Sequence, residues 1–308
     1  MATILITGGT GMIGRALTKA LVERNHAVVI LSRSSKENAS AGVTYAKWDV
    51  SAQTIDESSI SSADYIIHLA GAGVADKRWT NKRKKEIVES RVMSGELLVN
   101  SLKNIPNDVR AVISASAIGW YGPDPMTPNP DPFEEEDPAS KDFLGETCMQ
   151  WERSIMPVEK LQKRLVILRT GIVLSAEGGA LVEFVKPARF GLATILGSGK
   201  QVMSWIDIDD LVRLYIDAIE NDRMSGIYNA VAPRPATNEQ IVLTAARIIK
   251  GKYYIPIHVP AFFLRLFLGE MSVEVLKSAT VSCNKLHALN FSFLRPNLET
   301  SLTAQLHK

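Results

Sequence analysis

The stretch TGGTGMIG, residues 7–14, has the spacing that most clearly serves chemistry. Gly8, Gly11 and Gly14 stand three residues apart. They follow the apolar run Thr3–Thr7 (TILIT) and lead into residues 13–24, where Ile13, Leu17, Leu21 and Val22 keep helical spacing. A glycine loop between a strand and a helix suits a pyrophosphate. Gly8 lets the chain turn sharply off the strand. Gly11 lets backbone approach the phosphates with no Cβ in the way, and Gly14 lets helix and strand pack closely. The helix start then offers unpaired N–H groups and the positive end of its dipole to the anion. Thr10, Met12 and Ile13 belong to the same cradle, so the loop is expected to hold a dinucleotide.

The end of the second apolar run, residues 27–31 (AVVIL), chooses between dinucleotides. An acid there would accept from a ribose 2′-hydroxyl. The chain instead reads Leu31-Ser32-Arg33, with no acid before Glu37. Arg33 can grip a 2′-phosphate with two parallel N–H bonds, and Ser32 can donate to it. NADP(H) is the expected cofactor. Asp49 follows a third strand, residues 43–48, and is placed at the adenine edge. Leu69, Ala70 and Gly71 end a fourth, YIIHL, where small residues would lie against the ribose. His68 in that strand reads as a packed histidine.

These loops need a scaffold. Further strands are expected at residues 110–114 and 165–170. Helices are expected at 81–103 and 207–221, and at 237–250 with a capping box from Thr237 and Gln240. Strands that alternate with helices and are apolar on both faces make an α/β fold with a doubly wound parallel sheet. Residues 1–170 form the expected cofactor-binding domain, to which elements of 200–235 return. Residues 171–308, including the segment 250–308, form a smaller C-terminal substrate-side lobe. Residues 122–141, rich in proline and acid, read equally as a solvated loop or a lid.

Composition narrows the class. The net charge of +2 gives no bulk case for nucleic acid or an anionic membrane. No apolar run reaches the ~18–20 residues that span a bilayer. The most apolar segment, VPAFFLRLFLG (residues 259–269), is broken by Arg265 and fits a buried or interfacial helix. Cys148 and Cys283 are too few for a disulfide framework, and no metal-ligand spacing occurs. A small-molecule partner and a cytoplasmic location are expected.

Several further segments narrow the reading: Lys77-Arg78-Trp79-Thr80 with Glu86 and Ser90-Arg91; SASAIGWYG (114–122); LRTGIVL (168–174); GSGKQVMSWIDIDD (197–210); Asn229 to Pro233; and the tail VPAFFLRLFLGEM. Together with the glycine loop they resemble an atypical extended short-chain dehydrogenase/reductase of the NAD-dependent epimerase/dehydratase group. The subfamily carries a C-terminal domain of unknown function and a sugar-nucleotide epimerase label. The resemblance spans nearly the whole chain and implies a Rossmann-like fold and NADP(H) binding. By position it assigns Glu86 and Arg91 to the cofactor and Val173 to its nicotinamide end. Extended reductases often pair through the helices that here span 81–103 and 142–154, so a homodimer is possible.

The chain departs from the resemblance at the catalytic helix. Such enzymes use a Tyr-x-x-x-Lys pair and a Ser or Thr. DFLGETCMQWE (142–152) offers Leu144 and Cys148 in one register, Phe143 and Thr147 in the other. The serine position falls on Ser116 or Ala117. Tyr121 is the nearest phenol, a proton donor or an aromatic wall; Glu146, Asp207 and Asp209 are other candidates, with Asp209 and Asp210 read as structural first. Two functions follow: an NADP(H)-dependent epimerase or oxidoreductase on a polar, possibly nucleotide-linked substrate, or a non-catalytic NADP(H)-binding sensor that acts through a protein partner.

Overall fold

The computed structural model describes residues 1–34 and 41–307. The first half runs β1 (Thr3–Thr7), α1 (Met12–Glu23), β2 (Ala27–Ser32), β3 (Val43–Asp49), β4 (Thr54–Ile55), α2 (Glu57–Ser61), β5 (Tyr65–His68), α3 (Asn81–Asn104), β6 (Ala111–Ala117), α4 (Phe143–Ile155) and β7 (Arg164–Thr170). The second runs β8 (Ile172–Leu174), α5 (Gly179–Ala188), β9 (Leu192–Leu196), β10 (Val202–Met203), β11 (Trp205–Asp207), α6 (Ile208–Glu220), β12 (Gly226–Ala230), β13 (Ala236–Thr237), α7 (Asn238–Lys250), β14 (Ile255–Val259), α8 (Ala261–Leu268), α9 (Ser272–Leu276), α10 (Asn284–Ala288) and α11 (Leu298–Leu306).

Eight strands form the main sheet in the order β12-β7-β6-β5-β1-β2-β3-β4. All pairings are parallel except β3 with β4. The order reverses between β1 and β5, which is the switch point of a doubly wound, Rossmann-like sheet. Both faces are apolar, as a parallel sheet covered on both sides requires. In β1, Ile4 and Ile6 join Leu17 and Leu21 of α1 and Leu211 and Tyr215 of α6 in one cluster. Leu5, between them, joins Leu97 and Leu98 of α3 on the other side. All three β1 side chains are fully buried, worth roughly 1.5–3 kcal/mol each.

β12 enters this sheet from the second half, beside β7. The remaining strands pair off as β8–β11, β9–β14 and β10–β13. α7 begins with the expected capping box of Thr237 and Gln240. The carboxylates before and in α6 fasten the tail. Asp207 caps α6 and accepts from Ser301 Oγ at 2.6 Å. Asp210 accepts the Leu294 and Arg295 N–H groups at 2.7 and 2.8 Å.

The proline-rich loop 122–141 is tied down. Asp124 accepts from Thr280 N–H and Oγ at 2.8 and 2.7 Å, and Phe133 N–H donates to the Thr280 carbonyl at 2.8 Å. These bonds staple it to the chain around Thr280, so it is neither a free solvated loop nor an unattached lid. Among the described residues no helix is long and apolar enough to cross a membrane.

Candidate functional site

The C-terminal ends of β1 and β5 flank the crevice at the switch point, and the glycine loop fills one wall. Gly8 has φ +70°, and a Cβ there would lie 2.9 Å from the Leu69 carbonyl carbon and 3.1 Å from Ala70 N. Only glycine fits such a contact. It brings Gly8 together with the Leu69-Ala70-Gly71 end of β5.

Thr7 locks the two strand ends, a role the sequence did not suggest. Its Oγ1 accepts the Leu69 and Ala70 N–H groups at 3.0 and 3.1 Å. The hydroxyl hydrogen is therefore left for His68 Nδ1, 2.8 Å away. That puts the imidazole proton on Nε2, which faces Ser94 Oγ at 3.5 Å. Burial, with Arg91 nearby, drives the His68 pKa down to about 3. His68 is a neutral clamp, as a packed strand histidine should be.

α1 starts at Met12 with Gly11 as N-cap, and no side chain caps it. The N–H groups of its first turn, which includes Met12 and Ile13, have no intrahelical acceptor and are open to an anion. Gly11 N–H bonds the Gly8 carbonyl at 3.0 Å, and the Arg15 guanidinium bonds the Thr10 carbonyl at 2.8 Å. A Cβ on Gly14 would fall 2.5 Å from Gly8 O and from Gly9 Cα. Close packing at Gly14 is thus between the helix and its own loop. The approach to the neighbouring strand belongs to Gly9, where a Cβ would meet Ile30 of β2 at 2.8 Å.

Met12 reaches across to the turn before α5. A Cβ on Gly178 would lie 3.4 Å from Met12 Sδ, and one on Gly179 3.6 Å from the Val173 carbonyl oxygen. Val173 and the glycine loop therefore share a wall. Ser32 ends β2 and Arg33 follows it, exposed; the pairing Thr7↔Leu31 sets both beside the loop. Next to α1, Thr10, Arg15, Lys19 and Tyr45 help to line a cavity of about 550 Å³.

Other expected residues have partners within the chain. Asp49 Oδ1 accepts from Ser51 Oγ, Ser51 N–H and Ala52 N–H at 2.6, 2.9 and 3.0 Å, turning the chain towards β4. The Ser51 hydroxyl bond, first of these, lowers its pKa. Glu86 and Arg91 lie on one helix but do not meet. Glu86 is exposed and pairs with Arg83 at 2.8 Å; the hydrogen bond from Arg83 lowers its pKa. Arg91 is buried and bonds the Ala72 and Ile87 carbonyls at 3.0 and 2.9 Å. Its guanidinium lies over the Trp151 ring, and a Cβ on Gly71 would meet its Cζ at 3.0 Å. No carboxylate pairs with Arg91 among the described residues.

Ser116 and Tyr121 are drawn into a buried network under the crevice. Ser116 Oγ donates to Glu152 Oε1 at 2.6 Å. Arg169 Nε and Nη2 grip the two Glu152 oxygens at 2.9 Å each. Arg169 Nη1 donates to the Tyr121 hydroxyl oxygen at 3.1 Å and the Glu135 carbonyl at 2.9 Å. The Tyr121 hydroxyl donates to Asn229 Oδ1 at 2.7 Å. Trp120 covers the guanidinium, its ring centre 3.7 Å away. Tyr121 is fully buried, stacked on Phe133, and burial pushes its pKa up to about 12. The expectation of a proton donor at Tyr121 or a polarising hydroxyl at Ser116 therefore meets a geometric obstacle: both hydrogens are committed inward. Sequence reading missed Glu152 and Arg169 as partners. The available signal was Arg169 itself, a charge inside the apolar strand LVILRT.

The face of α4 that could have carried a Tyr and a Lys is packed. A Cβ on Gly119 would lie 3.2 Å from Leu144 Cβ and 3.7 Å from Cys148 Sγ. Burial pushes the Cys148 thiol up to about 12, with Glu152 adding to it. Ionisable groups do stand at the start of α4. Lys277 Nζ, nearly buried, lies 2.8 Å from Glu274 and 3.7 Å from Asp142, and donates to the Tyr121 carbonyl at 3.3 Å. Asp142 caps α4 through Gly145 N–H at 2.8 Å. Burial raises the Glu274 pKa against the pull of Lys277.

Known proteins share this fold. Residues 4–230 match the NAD dependent epimerase/dehydratase family. The chain belongs to this family. As an epimerase-family protein it carries, at residues 259–305, a match to the domain of unknown function DUF1731, so the resemblance to the extended reductase group with that C-terminal domain holds. An epimerase family protein of Staphylococcus saprophyticus is 37% identical over 307 residues, 100% of both chains. The crystal structure of the human epimerase family protein SDR39U1 (isoform 2) with NADPH matches with TM-score 0.86 and 27% identity over 99% of both chains. The nucleoside-diphosphate sugar epimerase of Corynebacterium glutamicum matches with TM-score 0.77 and 29% identity, over 99% of this chain and 58% of that one.

Proposed function

We propose that this epimerase-family chain binds NADP(H) in the crevice at the switch point and acts as an epimerase or oxidoreductase on a polar, nucleotide-linked substrate. The uncapped start of α1, set against β5 by a Gly8 that admits no Cβ, carries the reading. These features fit a pyrophosphate. The first turn of α1, including Met12 and Ile13, would hold it with Gly8, Thr10, Gly11 and Gly14. Ser32 and Arg33 would hold the 2′-phosphate, and Leu69, Ala70 and Gly71 would back the ribose. Val173 would stand at the nicotinamide end. The structure of the human relative with NADPH supports this choice. When bound, NADP(H) supplies hydride transfer.

The chain's own residues would hold the substrate and move its proton. Arg91 acts from behind Gly71, fixing the crevice floor, and Glu86 belongs to the rim with Arg83. Ser116 and Tyr121 act from below, holding β6 and the turn after it. The proton falls to Glu274, which Lys277 holds at 2.8 Å and whose pKa burial raises against that pull. Glu274→Gln should lower turnover at least tenfold and leave NADPH affinity unchanged; unchanged turnover would remove Glu274 from the chemistry.

One observation favours a second reading, a non-catalytic NADP(H)-responsive protein acting through a protein partner: Leu144 and Cys148 are packed against Gly119. Nicotinamide absorbance and product epimers, followed with NADPH and a panel of nucleotide sugars and carbonyl compounds, separate the two. Turnover supports the enzyme. Tight NADPH binding without turnover supports the sensor. A cytoplasmic location and pairing of copies through α3 and α4 belong to the same proposal, the latter checked by sedimentation.

A further inference from the structure

The segment VPAFFLRLFLG, which the crevice does not use, forms the end of β14 and all of α8. α8 buries only Leu264; Phe262, Phe263, Leu266 and Phe267 are exposed, Phe267 by 73%. The helix leans mainly on the turn and short helix that follow it. β14, which runs directly into α8, and its partner β9 carry further exposed apolar side chains. Ala193 and Ile195 of β9 turn towards Val242 and Ala246 of α7. The opposite face of the pair carries Leu192, Ile255 and Ile257, all exposed. Ile255 N–H bonds the Gly191 carbonyl at 2.8 Å, which brings Phe190 to the Tyr253 end of the sheet. Phe190 and Tyr253 are 86% and 75% exposed. At ~150–250 Å² per aromatic side chain, the five exposed aromatic residues present roughly 500–900 Å² of apolar area. The largest patch on a typical monomer is ~300–600 Å².

The charge on the segments that carry this surface is mostly positive, with Glu183, Glu270 and Glu299 at their borders. No Asp or Glu occurs in residues 184–200 or 247–269, while seven Lys and Arg do. Lys186 and Arg247 pair with Glu183 and Glu299. Arg189, Lys250, Lys252 and Arg265 have no such partner among the described residues. The overall charge of +2 averages this asymmetry away. A second copy on the same face would bring these cations towards the other copy's cations, which opposes a two-fold interface. Exposed aromatic and aliphatic side chains ringed by unpaired cations match an anionic bilayer, with apolar tips in the headgroup layer and cations on lipid phosphates.

We propose that the face formed by α8 and the β9–β14 pair docks on an anionic lipid surface. Vesicle flotation of the full chain tests it, with phosphatidylcholine alone and with phosphatidylcholine mixed with phosphatidylglycerol. The protein should float with the anionic vesicles only, and less as salt rises. Phe262→Ser/Phe267→Ser should abolish flotation. Arg189→Glu/Lys252→Glu should weaken it by more than tenfold, at roughly fivefold per charge removed. Unchanged NADPH affinity and melting temperature in these variants show that the fold survives. Absence of flotation at low salt, or equal flotation with both vesicles, overturns the proposal. So does a concentration-dependent dimer, by sedimentation, that the same phenylalanine substitutions dissolve.

Discussion

Arg169 and Glu152 meet in a two-pronged ion pair, 2.9 Å at each prong, with both side chains out of contact with water. One comes from β7 and the other from α4, so the pair ties the sheet to the helix that should have carried the catalytic groups. Ser116, Tyr121 and Glu135 complete their bonds on it. The helix has become a packing element, and its main charge is spent on structure.

Arg169→Met should be strongly destabilising. It leaves Glu152 buried without its partner, which costs about 3–5 kcal/mol. Glu152→Gln should cost a similar amount: the amide still accepts from Ser116, but the Arg169 guanidinium cannot shed its proton and stays buried without its counter-charge. Urea midpoints of the two variants measure both, and similar small shifts would show that the network is dispensable.

Tyr121→Phe removes one hydroxyl and strands Asn229 Oδ1 and one Arg169 N–H. The expected loss is about 1–3 kcal/mol of stability, with turnover and NADPH affinity unchanged once the protein is folded. A fall in turnover with stability intact would return Tyr121 to the chemistry.

His68 should make stability depend on acid. Its folded pKa, about 3, lies below the ordinary 6.5. The unfolded chain therefore takes up the proton first. The contribution is complete above pH 6.5, is lost as pH falls, and levels off below about 3. The slope inside the window is at most about 1.4 kcal/mol per pH unit. Glu135 and Glu274, raised by burial, act in the opposite sense. The difference between wild type and His68→Gln isolates the histidine; parallel pH profiles for the two would contradict the assignment.

The glycine loop and the parallel sheet were legible because local rules govern them. Gly8 must be glycine to turn beside Leu69, and TILIT and AVVIL are apolar at every buried position except Thr7. The network under the crevice was not legible. Tyr121 and Asn229 lie far apart in sequence, and no periodicity reports that one will bond the other. Asp49 shows a different point. Its position at a strand end suggested a ligand, and the structure adds that Ser51 two residues on bonds its Oδ1, a local turn that Asp-x-Ser spacing could have signalled. VPAFFLRLFLG was recognisable as apolar, but that its phenylalanines stay uncovered depends on what packs nearby, which composition does not encode.

In the proposed function, this chain selects NADP(H) through the loop 8–14 and the pair Ser32-Arg33. Titration with NADPH and with NADH, followed by nicotinamide fluorescence, tests it most directly on wild type and Arg33→Ala. A charged hydrogen bond of about 1.5–3 kcal/mol predicts NADPH binding at least tenfold tighter than NADH in wild type, and a preference that collapses in Arg33→Ala while NADH affinity holds. Equal affinity for the two cofactors, or an Arg33→Ala variant that keeps the preference, would contradict it.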